Sequence, residues 1–171
     1  MGSFEEVMLP HLPTAYNLAR WLLRNDHDAE DAVQEAYLRA LRGFGRFRGG
    51  DGRAWLLAIV RNGCYSRLRQ QRQVEPHDAF DESVHGAADE RGAADERERT
   101  AADTAALAAA VERLPEGMRE MILLRDYEGL SYREIAEVAE VPVGTVMSRL
   151  ARARERLQRE LAPRRGEEAS L

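Results

Sequence analysis

Lysine is absent from the 171-residue chain: all 25 basic side chains are arginine, against 30 acidic ones, for a net charge of -5. Cysteine occurs once, at Cys64, which excludes an internal disulfide and a paired-cysteine metal site and leaves a thiol expected to be buried. It also has no resolving partner, which argues against redox sensing. No stretch approaches the roughly 20 apolar residues of a membrane span, and the amino terminus has no signal-peptide pattern. A cytoplasmic protein without membrane insertion is expected.

Chemistry-bearing motifs are equally scarce. The histidines, at positions 11, 27, 77 and 85, show no HExxH or paired metal spacing. "DHDAED", from Asp26, lacks the central glycine of a calcium loop and has Tyr37 where its twelfth-position glutamate would stand. No phosphate-cradling glycine loop precedes a basic residue and Ser or Thr. These absences predict a protein that is not an enzyme, with no catalytic residue, metal or cofactor. No segment alternates with period two, so an all-α fold is expected.

Charge is unevenly spread, with +3 over residues 1–73, -7 over 74–105 and -1 over 106–171. Residues 74–103 are acidic, poor in large apolar side chains and carry the hexapeptide GAADER twice, at 86–91 and 92–97. Such a segment buries too little surface to offset its ordering entropy and reads as a flexible linker, the alternative being a solvated helix. Two small helical domains therefore flank it, at 1–73 and 104–162, followed by a tail at 163–171.

The first domain reads as three helices. One covers about 4–24, bent near Pro10 and Pro13, with Leu12, Tyr16, Leu18, Leu22 and Leu23 as apolar candidates. Another runs from about Asp28 to Arg42, with Val33, Ala36, Tyr37, Ala40 and Leu41 repeating at three and four. After the break "GFGRFRGGDG" a third spans about 53–72, where Trp55 and Ile59 share the apolar side and Trp55 reads as core. The second domain reads as helices at about 104–114, 116–127, 131–139 and 143–161. Gly129 suits a carboxyl-terminal cap, and Ser131 with Glu134 forms an S-x-x-E capping box. The turn "AEVPVG" then joins two helices in a helix-turn-helix arrangement.

In the last helix Val146, Leu150, Ala153 and Leu157 form one stripe, expected to pack inward. Ser148, Ala151, Arg152 and Glu155 lie opposite, flanked by Thr145, Arg149 and Arg156 on one side and by Met147 and Arg154 on the other. A recognition helix enters the major groove by its amino-terminal turns while later arginines reach phosphates, so Arg152 suits a guanine edge and Ser148 several bases. The competing reading is a solvated helix whose arginines pair weakly with Glu155 and Glu160.

"LPEGMREMILLRDYEGLSYREIAEVAEVPVGTVMSRLARARERL", 114–157, closely resembles region four of bacterial RNA polymerase sigma factors of the extracytoplasmic-function group. "DAEDAVQEAYLRAL" at 28–41, "FRGGDGRAWLLAIVRN" at 47–62 and "CYSRLRQQR" at 64–72 resemble region two of the same family, in the same order. The resemblance covers the chain except its linker and tail. It implies an initiation factor that binds core RNA polymerase and promoter DNA, with an anti-sigma factor as partner, monomeric when free or heterodimeric with that partner.

By the same resemblance Asp31, Gln34 and Glu35 match the motif that docks on the polymerase clamp. Residues 47–72 match the part that opens the minus-ten element and captures a flipped base. Arg48, Arg53, Arg61, Arg67 and Arg69 would supply phosphate contacts there and Asn62 a polar one, around a loop of Gly49, Gly50, Asp51 and Gly52. Thr145, Ser148, Arg149 and Arg152 match the readers of the minus-thirty-five element. Met147 and Ala151 stand where some relatives carry an arginine or a bulky residue, and "GGDG" does not match the polar capturing loop of many relatives. The alternatives are a decoy that sequesters an anti-sigma factor and a dimeric helix-turn-helix repressor.

Overall fold

The computed structural model describes residues 2–74 and 95–168, all helices, turns and loops with no strand among them. Most of the segment read as linker, 75–94, including the first GAADER copy, lies outside the described residues. So does the end of the tail, 169–171.

The amino-terminal unit begins with α1 (Phe4–Met8). Ser3 caps it reciprocally: its hydroxyl accepts from the Glu6 amide at 3.2 Å and its own amide donates to the Glu6 carboxylate at 3.0 Å. Pro10 sits in a single 3-10 turn, Leu9–His11, which bends the chain into α2 (Leu12–Leu23). Left-handed Arg24, φ 58°, closes α2, and the Asn25 side chain accepts from the Asp28 amide to open α3 (Asp26–Gly43). α4 (Gly52–Val74) completes a bundle in which α2, α3 and α4 pack on one another.

Alanines let these helices approach closely: Ala29, Ala32, Ala36 and Ala40 of α3 are buried where it packs on α2 and α4, whose Leu18, Leu22, Leu56, Leu57 and Val60 are buried in the same core. Two residues expected inside are not. Leu12, the first residue of α2, is 43% exposed. Leu41 is 53% exposed, because the alanine stripe of α3 is the inward face and turns Leu38 and Leu41 out. Trp55 is partly buried, its ring 5.2 Å from that of Phe47, in keeping with a packing role. Cys64 is fully buried, and burial pushes its thiol up to about 12.

The carboxyl-terminal unit opens with α5 (Asp95–Glu112). The helix placed near 104 thus starts earlier, and positions 95–103 of the segment read as linker are helical. Ala, Glu and Arg favour helix, and an existing helix extends more easily than a new one nucleates. α6 (Glu116–Ile122) runs into a π turn, Leu123–Tyr127, marked by the Glu128 amide donating to the Leu123 carbonyl at 3.0 Å. Gly129, φ 71°, ends that segment as expected. α7 (Tyr132–Ala139) carries the complete Ser131–Glu134 capping box. Glu140 takes the left-handed turn position, φ 55°, ahead of α8 (Val143–Glu168). Helix thus continues through 163–168 of the expected tail.

Val146, Leu150, Ala153 and Leu157 of α8 are buried with Ile135 and Val138 of α7 and Met121, Ile122 and Leu124 before them. The two units are not apart. α7 packs along α4, and α6 touches α2.

Candidate nucleic-acid interface

The helix-turn-helix presents its last helix outward. Ser148, Ala151 and Arg152 are exposed along the first turns of α8, with Thr145 and Arg149 half-buried beside them. Among the described residues, Arg149, Arg152 and Arg156 form no ion pair or side-chain hydrogen bond. The pairing expected of a merely solvated helix is confined to other arginines. Arg159 meets Glu155 at 2.7 Å, Arg113, in the turn after α5, meets Glu160 at 3.1 Å, and Arg154 meets Asp126 at 3.0 Å. The Ser148 hydroxyl donates to the Thr145 carbonyl at 3.1 Å, which leaves its lone pairs as acceptors. Met147 is 53% exposed.

The loop before α4 divides into two functions. Gly49 and Gly50 have φ of 85° and 89°, the left-handed region that glycine enters without strain. Gly52 has a different reason: a Cβ there would lie 2.9 Å from a methyl of Val7, so its role is packing rather than loop freedom. Asp51 caps α4, its carboxylate accepting from the Ala54 amide at 3.2 Å.

Of the basic and polar side chains placed along this surface, Arg48 and Asn62 are exposed, and Arg69 bonds only Ser66 among the described residues, at 3.3 Å. Arg67 is paired within its own unit, to Glu35 at 2.8 Å. Arg53 and Arg61 reach across to the other unit. Arg53 meets Glu134 of α7 at 2.8 Å, and Arg61 makes a short ion pair with Glu120 of α6. The Tyr65 hydroxyl donates to the second Glu120 oxygen at 3.1 Å, and the Arg61 guanidinium lies 4.5 Å from the Tyr65 ring centre. Burial disfavours the Arg61 charge, but its bond to Glu120 outweighs this and raises the pKa.

Sequence reasoning missed these acidic partners. Glu120 has a faint signature, a lone carboxylate inside the buried run "MREMILL"; Glu134 has none beyond its cap.

Asp31, Gln34 and Glu35 lie on adjoining turns of α3. Gln34 and Glu35 are exposed, while half-buried Asp31 stands 3.8 Å from His27. Exposed Leu38 and Leu41 continue that outer face.

Titration at the Arg53 contact has a defined sign. The hydrogen bond with Asp51, then those with Arg53 and Ser131, hold the Glu134 carboxyl at about 2, below the ordinary 4.5, against the opposing effect of burial. Its neighbour Asp51 is raised, chiefly by Glu134, and His11 is lowered by burial and then by Arg53. A depressed carboxyl contributes stability that is complete above its ordinary pKa and lost as pH falls through the folded value. Urea unfolding at pH 6 and pH 3 should therefore show the wild type's advantage over Glu134→Gln shrinking on acidification. A gap that widens would contradict this assignment.

The all-helical architecture, the helix-turn-helix with an unpaired arginine row and the basic α4 define a DNA-binding transcription factor. Family models place it further: the Sigma-70 region 2 model matches residues 7–74 and the Sigma-70 region 4 model residues 104–157. The chain belongs to the sigma-70 family, in its extracytoplasmic-function (ECF) group.

It is 36% identical to RNA polymerase sigma-H factor of Pseudomonas aeruginosa, over 94% of this chain and 87% of that protein. It is 33% identical to ECF RNA polymerase sigma factor SigE of Mycolicibacterium smegmatis over 99% of this chain, spanning 65% of the length of that relative. The solved sigma factor RpoE of Bartonella quintana, in complex with the anti-sigma factor NepR, superposes with a TM-score of 0.74 at 33% identity, covering 93% of this chain and 96% of that one.

Proposed function

We propose that the chain directs core RNA polymerase to promoters with two separated elements, in a signal or stress response under anti-sigma control. The observation that carries this reading is the unpaired arginine row on α8, presented by a helix-turn-helix whose core is complete. Thr145, Ser148, Arg149 and Arg152 read the minus-thirty-five element. Arg48, Gly49, Gly50, Asp51, Arg53, Arg61, Asn62, Arg67 and Arg69 bind and help melt the minus-ten element. Asp31, Gln34 and Glu35 dock on the polymerase, with Leu38 and Leu41 alongside.

Residues 1–73 and 104–162 divide these tasks, and the acidic stretch between them discourages stray DNA contacts. The protein acts in the cytoplasm without catalytic residues of its own. Its partners are polymerase, promoter DNA and an anti-sigma factor, and it is monomeric when free.

Transcription in vitro from a genomic promoter library tests the assignment. Arg152→Ala removes a contact of about 1–3 kcal/mol, so protein-dependent transcripts should fall about fivefold or more. Glu35→Ala should weaken them at every promoter alike, because docking carries no sequence information. Absence of transcripts from folded wild-type protein, with an active polymerase control, would support a decoy that sequesters an anti-sigma factor.

A further inference from the structure

We infer that Met147 makes the minus-thirty-five contact selective for thymine: its thioether side chain, with Val143 and Ala151, forms an apolar flank of the recognition helix that fits the methyl group of a thymine in the major groove. The inference rests on the assignment of Thr145, Ser148, Arg149 and Arg152 to that element proposed above.

A single exposed methionine would need no explanation. Met147 does not stand alone. Val143, Met147 and Ala151 recur every four residues and share one stripe of α8. Val143 is 38% and Met147 53% exposed, and Ala151 is exposed as well. This stripe is separate from the buried one of Val146, Leu150, Ala153 and Leu157, and it lies on the first turns of the helix, the part that enters a groove. At about 1.5 Å per residue it runs roughly 12 Å, about three base-pair steps of ~3.4 Å.

Charge distinguishes the two sides of α8. Ser148 follows Met147 and Arg152 follows Ala151, about 100° further round the helix. Beyond them stand Arg149 and Arg156, which with Arg152 are unpaired among the described residues. On the apolar side the next basic group, Arg154, is held by Asp126 at 3.0 Å. One flank therefore offers free guanidinium groups to guanine edges and phosphates, and the other offers hydrocarbon and sulfur. Gly144 lies beside the apolar stripe in the first turn. A Cβ there would come within 4 Å of no other described residue outside its own helix backbone, so packing does not demand a glycine. A bare backbone at that point suits close approach to a ligand.

An apolar flank in the major groove favours one base. Thymine alone presents a methyl group there, whereas cytosine and adenine present amino donors and guanine presents acceptors. The methionine sulfur is only a weak acceptor. An amino group turned toward it loses water without an equal replacement, while a thymine methyl loses nothing and gains packing. The unbranched side chain of Met147 adapts its shape to that methyl, and the small Ala151 leaves room for it.

The test uses holoenzyme reconstituted from the full chain and core polymerase. Selection from duplexes with a randomised minus-thirty-five element should yield a thymine next to the position whose preference Arg152→Ala abolishes. Replacing that thymine by deoxyuridine removes the methyl group alone and should weaken binding about fourfold, the contribution of one buried carbon. Met147→Ala should bind the thymine duplex about fourfold more weakly than wild type and bind both duplexes equally. Met147→Leu, which keeps a large apolar side chain, should still prefer thymine. A purely structural role for Met147 would instead lower binding to both duplexes and leave their ratio at the wild-type value.

The inference is overturned if wild type binds the two duplexes alike, or if Met147→Ala discriminates between them as wild type does; the apolar flank would then be a face for a protein partner. If selection yields no preferred sequence and Arg152→Ala binds as wild type does, the assignment of α8 to the minus-thirty-five element fails, and the thymine contact with it.

Discussion

Replacing Leu150 by alanine is expected to lower the stability of the carboxyl-terminal unit by about 2–5 kcal/mol, the range for deleting a buried leucine side chain that its surroundings cannot refill. Leu150 is 1% exposed at the middle of the α8 stripe, where α8 lies over α6 and α7. Those helices have little freedom to collapse into the gap. α7 is held at its start by the Ser131–Glu134 capping box, and the π turn before it is closed by the Leu130 amide donating to the Leu124 carbonyl at 2.9 Å.

The substitution removes packing beneath the turn that carries Arg149 and Arg152, so promoter reading should suffer although neither arginine is touched. Met147→Ala, on the exposed side of the same helix, is the matched control and should change stability by less than about 0.5 kcal/mol. Urea unfolding monitored by circular dichroism measures both. A loss below about 1 kcal/mol for Leu150→Ala would show that α8 is not anchored through this stripe.

The second large effect concerns the Arg61–Glu120 pair. Glu120→Ala should destabilise the closed chain by about 3–5 kcal/mol, because it leaves a largely buried guanidinium without its counter-ion and the Tyr65 hydroxyl without its acceptor. Arg61→Met combined with Glu120→Leu should cost far less than the single change, since no charge is then left buried unpaired. The asymmetry between single and double replacement is the expected signature. A double-mutant cycle on thermal unfolding reads it out.

The pair joins α4 to α6, so the loss falls on association of the units rather than on either core. Calorimetry of Glu120→Ala should resolve two transitions where the wild type shows one. If the single variant were as stable as wild type, the pair would be a neutral by-product of packing done by Trp21, Tyr127 and their neighbours.

Both effects bear on how polymerase would receive this chain. The outer face of α3, with Gln34, Glu35, Leu38 and Leu41, is exposed in the closed arrangement. The Arg67–Glu35 bridge ties that face to α4. If Glu35 docks on polymerase as proposed, it gives up its bridge to Arg67 and leaves that guanidinium without this partner.

The sequence by itself determined the local structure and the family. Pro10 and Pro13 marked the bend, Ser131 and Glu134 the start of α7, Gly129 the end of the segment before it, and a period near 3.6 named all four buried positions of residues 143–162 of α8. These features are set by neighbours within a few residues, where chain geometry leaves few choices. Periodicity was less reliable for α3, because a helix packed through alanines can turn its leucines outward. The start of α5 is hidden for a related reason: the stretch is alanine-rich and favours helix, but it has too few large apolar side chains to show a buried face.

What tertiary structure alone decided is which charges meet. Nothing in the spacing of Arg53 and Arg61 singles out Glu134 and Glu120, which lie 81 and 59 positions away. Ion pairs between distant segments follow from how two helical units dock. That docking depends on the shape of whole faces, which no local window of sequence contains.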